Sequence, residues 1–213
     1  MVRTGARGRS AKPPWSEVLG DRCTMMAEAL RLHDTETMAH GMRVRAISEY
    51  LGAAMQIDAA AADILAKASA LHDLGKIAFE LEFLRSTQSY TGSERRRMES
   101  HARIGEQLLD IADPDEFRVI ALLVGQHHER SDGSGYPKAL TGNRIHPLTR
   151  ILIVADVFDA LATIRSYRPP WSEERIRAHF FENRAGQFDP DVAELLLDRY
   201  ADCDSARISA LPD

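Results

Sequence analysis

The chain has 213 residues, 44% hydrophobic and 28% charged, and this size suits a single domain, since one hydrophobic core usually serves roughly 100–200 residues. No apolar run approaches the about 20 residues that a membrane-spanning helix needs, so we expect a cytoplasmic protein without membrane association. The only two cysteines, Cys23 and Cys203, offer neither a disulfide framework nor a CxxC pair, so any metal must be held by histidine and carboxylate.

The first segment, residues 1–14, reads MVRTGARGRSAKPP and is predicted to be a flexible basic tail. It has no apolar core segment, which argues against a secretory signal. A basic arm can bind nucleic acid, but the formal net charge of the whole chain is −5, so no nucleic-acid polymer is expected as a partner. Residues 15–205 are predicted to form one helical domain, and residues 206–213 a C-terminal tail.

Helical periodicity runs through most of the chain after Trp15 and predicts an all-α helical bundle. Apolar residues recur at three- and four-residue spacing in the runs VLGDRCTMMAEALRL, MRVRAISEYLGAAM, AAADILAKASALHDL and FRVIALLVGQHH. The run ILIVADVFDAL has the β-branched content of a buried strand, but Asp156 and Asp159 lie three residues apart, which favours a helix. The longest irregular stretches are predicted at about residues 80–93 and 129–147.

Capping residues indicate two helix starts. Asp113, Pro114 and Glu116 match an N-cap, a first-turn proline and a capping-box acid. Asp189 and Pro190 repeat the first two of these elements. We therefore expect helices to begin directly after Asp113 and directly after Asp189.

A polar face is predicted on the helix that contains ETMAH. Glu36 and His40 lie four residues apart and Arg43 follows three residues later, so all three share one side of the helix. Neutral histidine and carboxylate suit zinc, manganese and iron. A solvated polar face gives the same spacing, so this pair alone does not establish a metal site.

The motif LHDLGK is a stronger indication of a buried polar site. His72 and Asp73 end the apolar run AAADILAKASAL, where an unpaired buried charge would be costly. Gly75 is interpreted as a helix C-cap, and the ammonium of Lys76 just beyond it could reach an anionic ligand. The alternative is a buried His–Asp hydrogen bond next to a surface lysine.

Other histidines and a carboxylate accompany further apolar runs. His127 and His128 follow VIALLVG, and adjacent helical side chains diverge by about 100°, so this pair shares one ion only near a helix end or between the two directions. His101 begins the amphipathic segment HARIGEQLL and would alone be an ordinary surface or core residue. Asp156 lies in a very apolar helix and therefore needs a partner.

Taken in order, these residues resemble the HD-GYP domain, a branch of the HD metal-dependent phosphohydrolases. The resemblance covers about residues 30–200 and rests on ETMAHGMRV, LHDLGKI, HARIGEQLL, HHERSDGSGYP, RILIVADVFDAL, RSYR and GQFDPDV. It implies a helical fold of the HD-GYP type. It also implies hydrolysis of the second messenger cyclic di-GMP to pGpG, and often GMP, at a centre of two or three divalent ions, with iron or manganese expected.

The resemblance also implies a role for each matching residue. The implied metal ligands are Glu36, His40, His72, Asp73, His101, His127, His128 and Asp156. Asp73 matches the bridging carboxylate, and Glu36 matches the acid of members that bind a third metal. The implied substrate-binding residues are Lys76, Tyr136, Arg165 and Arg168, and Lys76 and Asp73 are the implied catalytic residues. Arg43 is expected to orient ligands, and Gly133, Gly135 and Pro137 to turn the chain so that it presents Tyr136.

Three segments depart from the family pattern. AFELEFLRSTQSYTGSE stands where members usually have a Pro-Asp pair and a Lys-Pro-Gly-like turn, KAL replaces Asp-Gly-Leu after GYP, and RSYR lacks the usual proline. These changes bear on substrate binding and choice more than on metal binding. Two alternative hypotheses follow: a non-catalytic module that senses a cyclic dinucleotide or docks a partner, and an HD hydrolase of another nucleotide. Signalling proteins or a second copy of the chain are considered as partners.

Overall fold

The structure, a computed structural model, describes residues 16–164 and 169–210. Within these ranges it contains helices and no strand beyond an isolated bridge between Asp132 and Thr141, which confirms the predicted all-α fold. The α-helices are α1 (Ser16–His33), α2 (Thr35–Ala54), α3 (Ala59–Leu71), α4 (Leu81–Leu84), α5 (Gly92–Ala112), α6 (Arg118–Gln126), α7 (Pro147–Ala162), α8 (Glu173–Asn183), α9 (Pro190–Asp198) and α10 (Tyr200–Ser209). Two 3-10 helices cover Leu74–Ala78 and Gly142–Arg144.

Helix α2 is the centre of the bundle, and it packs against α1, α3, α7 and α10. Val44, Ile47 and Leu51 lie three and four residues apart on α2 and are fully buried. Asp34 caps the start of α2 by accepting a hydrogen bond from the backbone N–H of Thr37. None of the described helices is both long and apolar enough to span a bilayer. The buried face of α2 therefore packs in the hydrophobic core of the helical bundle.

Several sequence-based expectations about helix ends are confirmed. The run ILIVADVFDAL is helical and lies within α7. Asp189 caps α9, and Pro190 occupies its first turn. The irregular stretch predicted at about 129–147 holds only the 3-10 turn Gly142–Arg144.

Other boundaries differ from the prediction. Helix α6 begins at Arg118 and not directly after Asp113, because the Asp113 carboxylate accepts from the backbone N–H groups of Asp115 and Glu116 and closes a tight turn there. Helix α10 runs past the boundary predicted at 205 and ends at Ser209. Arg207 anchors this last turn through hydrogen bonds to the Asp204 carboxylate and the Thr163 hydroxyl.

Gly75 does not cap a helix, contrary to its interpretation from sequence. Helix α3 ends at Leu71, and Gly75 lies inside the following 3-10 helix. A Cβ atom on Gly75 would lie 2.0 Å from the carbonyl oxygen of His101 on α5. The glycine is therefore required for the close approach of this segment to α5, which brings the end of α3 next to His101.

Candidate metal centre

The ends of two helices and interior positions of three others converge on one buried site. His72 and Asp73 follow the last turn of α3, and His127 and His128 follow the last turn of α6. The remaining members are His40 on α2, His101 on α5 and Asp156 on α7. All of these side chains are buried except His128, which is partly buried. Adjacent side chains inside a helix diverge, but His127 and His128 lie just past the end of α6 and can therefore point to one site. This is the condition that the sequence set for a shared ion.

The site divides into two groups of side chains. The histidine cluster consists of His101, His127 and His128, whose ligand atoms lie within 4.8 Å of one another. The carboxylate cluster consists of His40, His72, Asp73 and Asp156. His40, His72 and Asp73 meet the same 4.8 Å criterion, and Asp156 Oδ1 lies 3.0 Å from His40 Nε2 and 3.7 Å from His72 Nε2.

Three of the histidines are oriented by hydrogen bonds to the backbone of the preceding helical turn. In each, Nδ1 bonds the carbonyl oxygen three residues earlier: His72 with Ser69 at 2.8 Å, His101 with Met98 at 2.6 Å, and His127 with Val124 at 2.6 Å. A carbonyl oxygen only accepts, so Nδ1 must carry the hydrogen, and a neutral ring then has a bare lone pair on Nε2. Such orientation is the usual support of metal-ligating histidines.

The bare nitrogens face one another across a small gap. His101 Nε2 lies 3.1 Å from His127 Nε2 and 3.1 Å from His128 Nε2. The lone pairs of His101 Nε2 and His127 Nε2 repel at this distance, and His72 Nε2 is buried without a hydrogen-bond partner among the described residues. A divalent cation among these nitrogens would remove both penalties. The residues present therefore fit a metal site by their own chemistry.

Asp73 joins the two clusters. Its Oδ2 lies 3.4 Å from His72 Nε2, and its Oδ1 lies 3.3 Å from His101 Nε2. Lys76, one turn further along, donates to Asp73 Oδ2 at 2.6 Å. One carboxylate thus offers an oxygen atom to each side, which is the arrangement expected of a ligand shared between two ions.

Asp159 is a member of the site that sequence analysis did not identify. Its carboxylate is fully buried, and Oδ2 accepts a hydrogen bond from His40 Nδ1 at 2.7 Å. Arg43 donates to both Asp159 oxygens, at 2.7 and 3.0 Å. Arg43 therefore contacts His40 through Asp159, and its role in orienting a metal ligand stays a prediction. The signal was available, because Asp159 is a second carboxylate three residues after Asp156 in an apolar helix.

The ionisation of the histidine cluster favours metal binding. Burial is the largest cause that lowers each pKa, and nearby histidines lower it further. The pKa falls to about 4 for His101 and about 3 for His128, and it lies well below the usual range for His127. These rings are neutral near pH 7 and present lone pairs without needing to lose a proton.

The carboxylate cluster has the opposite electrostatic character. Burial lowers the pKa of His72, but the charges of Asp73 and Asp156 outweigh burial and raise this pKa to about 9. Burial raises the pKa of Asp73 and Asp156, yet Lys76 near the first and the His40 hydrogen bond to the second hold both pKa values below the usual range. The field that favours a proton on His72 favours any cation, including a metal ion.

A cavity of about 680 Å³ opens over the centre. Lys76, Tyr136 and Glu36 line it together with His40, His101 and His128. Glu36 is exposed, and no described group of close ligand atoms includes it, so its place as a ligand of a third metal remains a prediction. The predicted substrate-binding residues Arg165 and Arg168 lie outside the described residues.

The loop after α6 places Tyr136 beside the histidines. The Tyr136 ring lies 4.8 Å from the His128 ring, and burial, followed by the charges of Asp73 and Asp156, raises its pKa strongly. Gly133 has φ +78, and a Cβ on Gly135 would lie 2.5 Å from the backbone nitrogen of Arg130, so both glycines are needed. This agrees with their predicted role in turning the chain.

Glu129 holds the same loop and was not identified from the sequence. It is buried, and its carboxylate accepts hydrogen bonds from the backbone N–H groups of Lys138 at 2.7 Å and Leu140 at 2.8 Å. A buried carboxylate with two backbone donors fixes the return of the loop. Its position directly after the two histidines was the available signal, although sequence cannot show that its partners lie nine and eleven residues later.

Comparison with known proteins agrees with this geometry. A family model described as HD domain matches residues 24–192. The chain is 36% identical over 188 residues to a 3'3'-cGAMP-specific phosphodiesterase 2 of Vibrio cholerae, covering 88% of this chain and 36% of the relative. It is also 36% identical over 172 residues to the cyclic di-GMP phosphodiesterase response regulator RpfG of Xanthomonas campestris, covering 81% of this chain and 46% of that protein.

A solved structure supports the fold. Bd1817, described as an HDG"Y"P protein from Bdellovibrio bacteriovorus, superposes with a TM-score of 0.64 at 20% identity, covering 83% of this chain and 56% of that chain. The chain spans between about a third and a half of the length of the two curated relatives described above. The match of the family model and the motifs that meet at this site show that the chain belongs to the HD domain family, in its HD-GYP branch.

Proposed function

We propose that the chain is a metal-dependent phosphodiesterase that hydrolyses cyclic di-GMP to pGpG, GMP or both. The observation that carries this proposal is the pair of facing clusters joined by Asp73, with the bare Nε2 atoms of His101 and His127 3.1 Å apart. The relatives are named for the hydrolysis of cyclic di-GMP or 3'3'-cGAMP, which gives the reaction and the substrate class.

The two clusters each suit one divalent ion, with iron or manganese as the proposed metals. His40, His72, Asp73 and Asp156 would hold one ion, and Asp73, His101, His127 and His128 the other. When bound, two divalent ions would supply a hydroxide nucleophile near neutral pH and would stabilise negative charge on the phosphate. Glu36, which is exposed and lines the cavity, would help to hold a third ion.

The chain's own residues bind and orient the substrate. Lys76 brings a positive charge to the cavity beside Asp73, where it would attract a phosphate oxygen. Arg165 and Arg168 would hold the phosphates from the segment after α7. Tyr136 places a hydroxyl and a ring at the cavity wall next to His128 and limits how the substrate enters.

A second candidate substrate is 3'3'-cGAMP. A relative named as specific for it is 36% identical to this chain over 188 residues, the same identity as the cyclic di-GMP phosphodiesterase from Xanthomonas. Both substrates present the same class of phosphodiester bond in a ring of two nucleotides. The metal centre would act on either one, and the walls of the cavity would choose between them.

The test is reconstitution without oxygen. Protein purified anaerobically and loaded with Mn(II) or Fe(II) is expected to convert cyclic di-GMP to pGpG or GMP, measured by chromatography, with 3'3'-cGAMP assayed in parallel. Elemental analysis of the same samples is expected to give two metals per chain, or three if Glu36 binds an ion. Absence of turnover with tight nucleotide binding would instead support a sensing or docking module.

A further inference from the structure

One wall of the cavity is not explained by the metal ligands or by the proposed phosphate contacts. It is formed by residues 84–90, a run between α4 and α5 that we call the 84–90 wall, and every one of these residues lines the cavity. The run falls within the segment in which the sequence departs from the family pattern. Because it is not part of either metal cluster, it is available to contact the nucleoside part of a substrate.

Arg85 is the cation of this wall, and its position is fixed from one side only. Its Nη2 donates to Asp34 Oδ1 at 3.0 Å, and Asp34 is in turn held by the hydroxyl of Thr37 at 2.6 Å. Asp34 is 5% exposed, whereas the side chain of Arg85 is 52% exposed. A guanidinium has five N–H donors, and among the described residues Asp34 is the one acceptor of Arg85.

Arg85 differs in this respect from the other cations that line the cavity. Arg43 is bonded to both oxygens of Asp159, and its side chain is 14% exposed. Lys76 donates to Asp73, and its side chain is 22% exposed. Both are therefore committed to the metal centre. Arg85 keeps most of its planar donor edge for a ligand.

Arg85 lies on the wall of the same cavity that the metal-centre residues line. Asp34 is the N-cap of α2, and His40 lies six residues further along the same helix. At a rise of 1.5 Å per residue, the two positions are separated by about 9 Å along the helix axis. A phosphate held at the clusters would therefore leave its nucleoside inside the cavity that Arg85 lines.

The wall is also ordered by aromatic packing. The Tyr90 ring stacks on Phe83, with ring centroids 5.0 Å apart and planes 28° apart, and the Tyr90 hydroxyl donates to the Phe83 carbonyl oxygen. The guanidinium of Arg97 lies 4.7 Å from the centre of the Phe83 ring. These contacts fix both ends of the wall near α4 and α5 and reduce the entropy lost when a base binds.

Resting on the proposed function, we propose that Arg85 determines specificity by binding the guanine base of the substrate. Guanine presents two adjacent acceptors, O6 and N7, and an arginine fork binds this pair with two parallel hydrogen bonds. Adenine has a donor amino group in place of O6, so the same fork would leave two donors facing each other. Both cyclic di-GMP and 3'3'-cGAMP contain a guanine, and cyclic di-AMP does not.

The test compares Arg85→Ala and Arg85→Lys with wild type on four substrates. These are cyclic di-GMP, 3'3'-cGAMP, cyclic di-AMP and bis(4-nitrophenyl) phosphate, a phosphodiester without a nucleobase. Both variants are expected to lose about 5- to 100-fold in kcat/KM on the two guanine substrates, mainly through KM, because the bidentate pair is lost. Activity on bis(4-nitrophenyl) phosphate and the metal content are expected to stay within about twofold, and activity on cyclic di-AMP is expected not to fall, because no bidentate pair with adenine is lost. Arg103→Ala, an exposed arginine on α5 outside the cavity lining, is the matched control.

Arg85→Lys separates base recognition from the other roles of the charge. Lysine keeps the ion pair with Asp34 and could still contact a phosphate as a point charge, but it lacks the planar fork. A Lys variant with wild-type activity on cyclic di-GMP would overturn the proposal in favour of a charge contact. Equal losses on cyclic di-GMP and on bis(4-nitrophenyl) phosphate would show that Arg85 only supports Asp34 and α2. A wild-type protein that cleaves no cyclic dinucleotide would contradict the proposed function itself.

Discussion

The carboxylate cluster and the histidine cluster lie side by side but balance charge in opposite ways. In the carboxylate cluster, Asp73 and Asp156 are compensated by Lys76 and by the raised pKa of His72. In the histidine cluster, the rings are neutral, burial lowers their pKa values, and their Nε2 atoms lie 3.1 Å apart. The first cluster favours a proton on His72, whereas the low pKa values of the second disfavour a proton and leave its nitrogens able to bind a metal ion.

This difference makes Asp73 the point at which the two clusters depend on each other. It is the carboxylate that reaches His101, through Oδ1, while its Oδ2 serves His72 and Lys76. Asp73 would be the negatively charged ligand of a metal ion that the neutral rings of the histidine cluster bind. We therefore expect the loss of one carboxylate to empty both sites, and the following predictions test this coupling.

The largest effect is expected for Asp73→Asn. The amide keeps the volume of the side chain but removes the charge that both clusters share, so metal content should fall for both ions and turnover should drop by more than about 100-fold. Elemental analysis and turnover measure the two losses, and circular dichroism checks folding. Asp63→Asn, at an exposed carboxylate paired with Lys67 on α3, is the control and should keep both metals. Full metal occupancy in Asp73→Asn would show that the clusters are independent.

Removal of the metals should destabilise the fold through the histidine cluster. If metal is present at about 100 times its dissociation constant, binding contributes about 2.7 kcal/mol to the free energy of unfolding. For a chain of this size, that corresponds to a fall in melting temperature of roughly 5–10 °C on chelation. In His128→Gln the fall should be smaller, because the histidine cluster has already lost a ligand. Equal shifts in wild type and His128→Gln would place the stabilising metal in the carboxylate cluster.

Asp159→Asn should have an intermediate effect confined to the carboxylate cluster. The substitution weakens the acceptor for His40 Nδ1 and breaks the two-point contact with Arg43, so the His40 ring loses its fixed orientation. Support of this kind typically changes metal affinity or activity by about 10- to 100-fold. Metal titration should show one weakened site and one unchanged site. Two equally weakened sites would indicate a general loss of packing at α7.

The centre was easier to predict from sequence than its surroundings, for physical reasons. The polar residues His72 and Asp73 interrupt apolar runs, and a buried polar group without a partner is costly, so the sequence itself marks them. Asp159 and Glu129 were missed because their partners, His40 and the backbone of 138–140, are distant in sequence or carry no side-chain signature. Gly75 was misread because close approach to α5 and a helix C-cap both require glycine.

The cavity walls were the least predictable part of the site. Helix periodicity gives the core-facing side of α2, but the ion pair between Arg85 and Asp34 joins two positions 51 residues apart. The sequence showed only that residues 78–94 depart from the family pattern, and the structure shows that residues 84–90 line the cavity. The candidate metal ligands are buried polar residues, and burial of this kind leaves a trace in the sequence. The residues of the cavity wall such as Arg85 are partly exposed and leave almost none.

The smallest effect is expected at Tyr136, which lies beside the histidine cluster without belonging to it. Tyr136→Phe keeps the ring against His128 and removes only the hydroxyl, so metal content should not change. Loss of one hydrogen bond to substrate should lower kcat/KM by about 2- to 10-fold, mainly through KM. Tyr136→Ala also removes the ring and should raise KM further, still with full metal content. Loss of metal in Tyr136→Ala would mean that the loop after α6 supports the histidine cluster itself. Tyr136 would then belong to the metal centre and not only to the wall of the cavity.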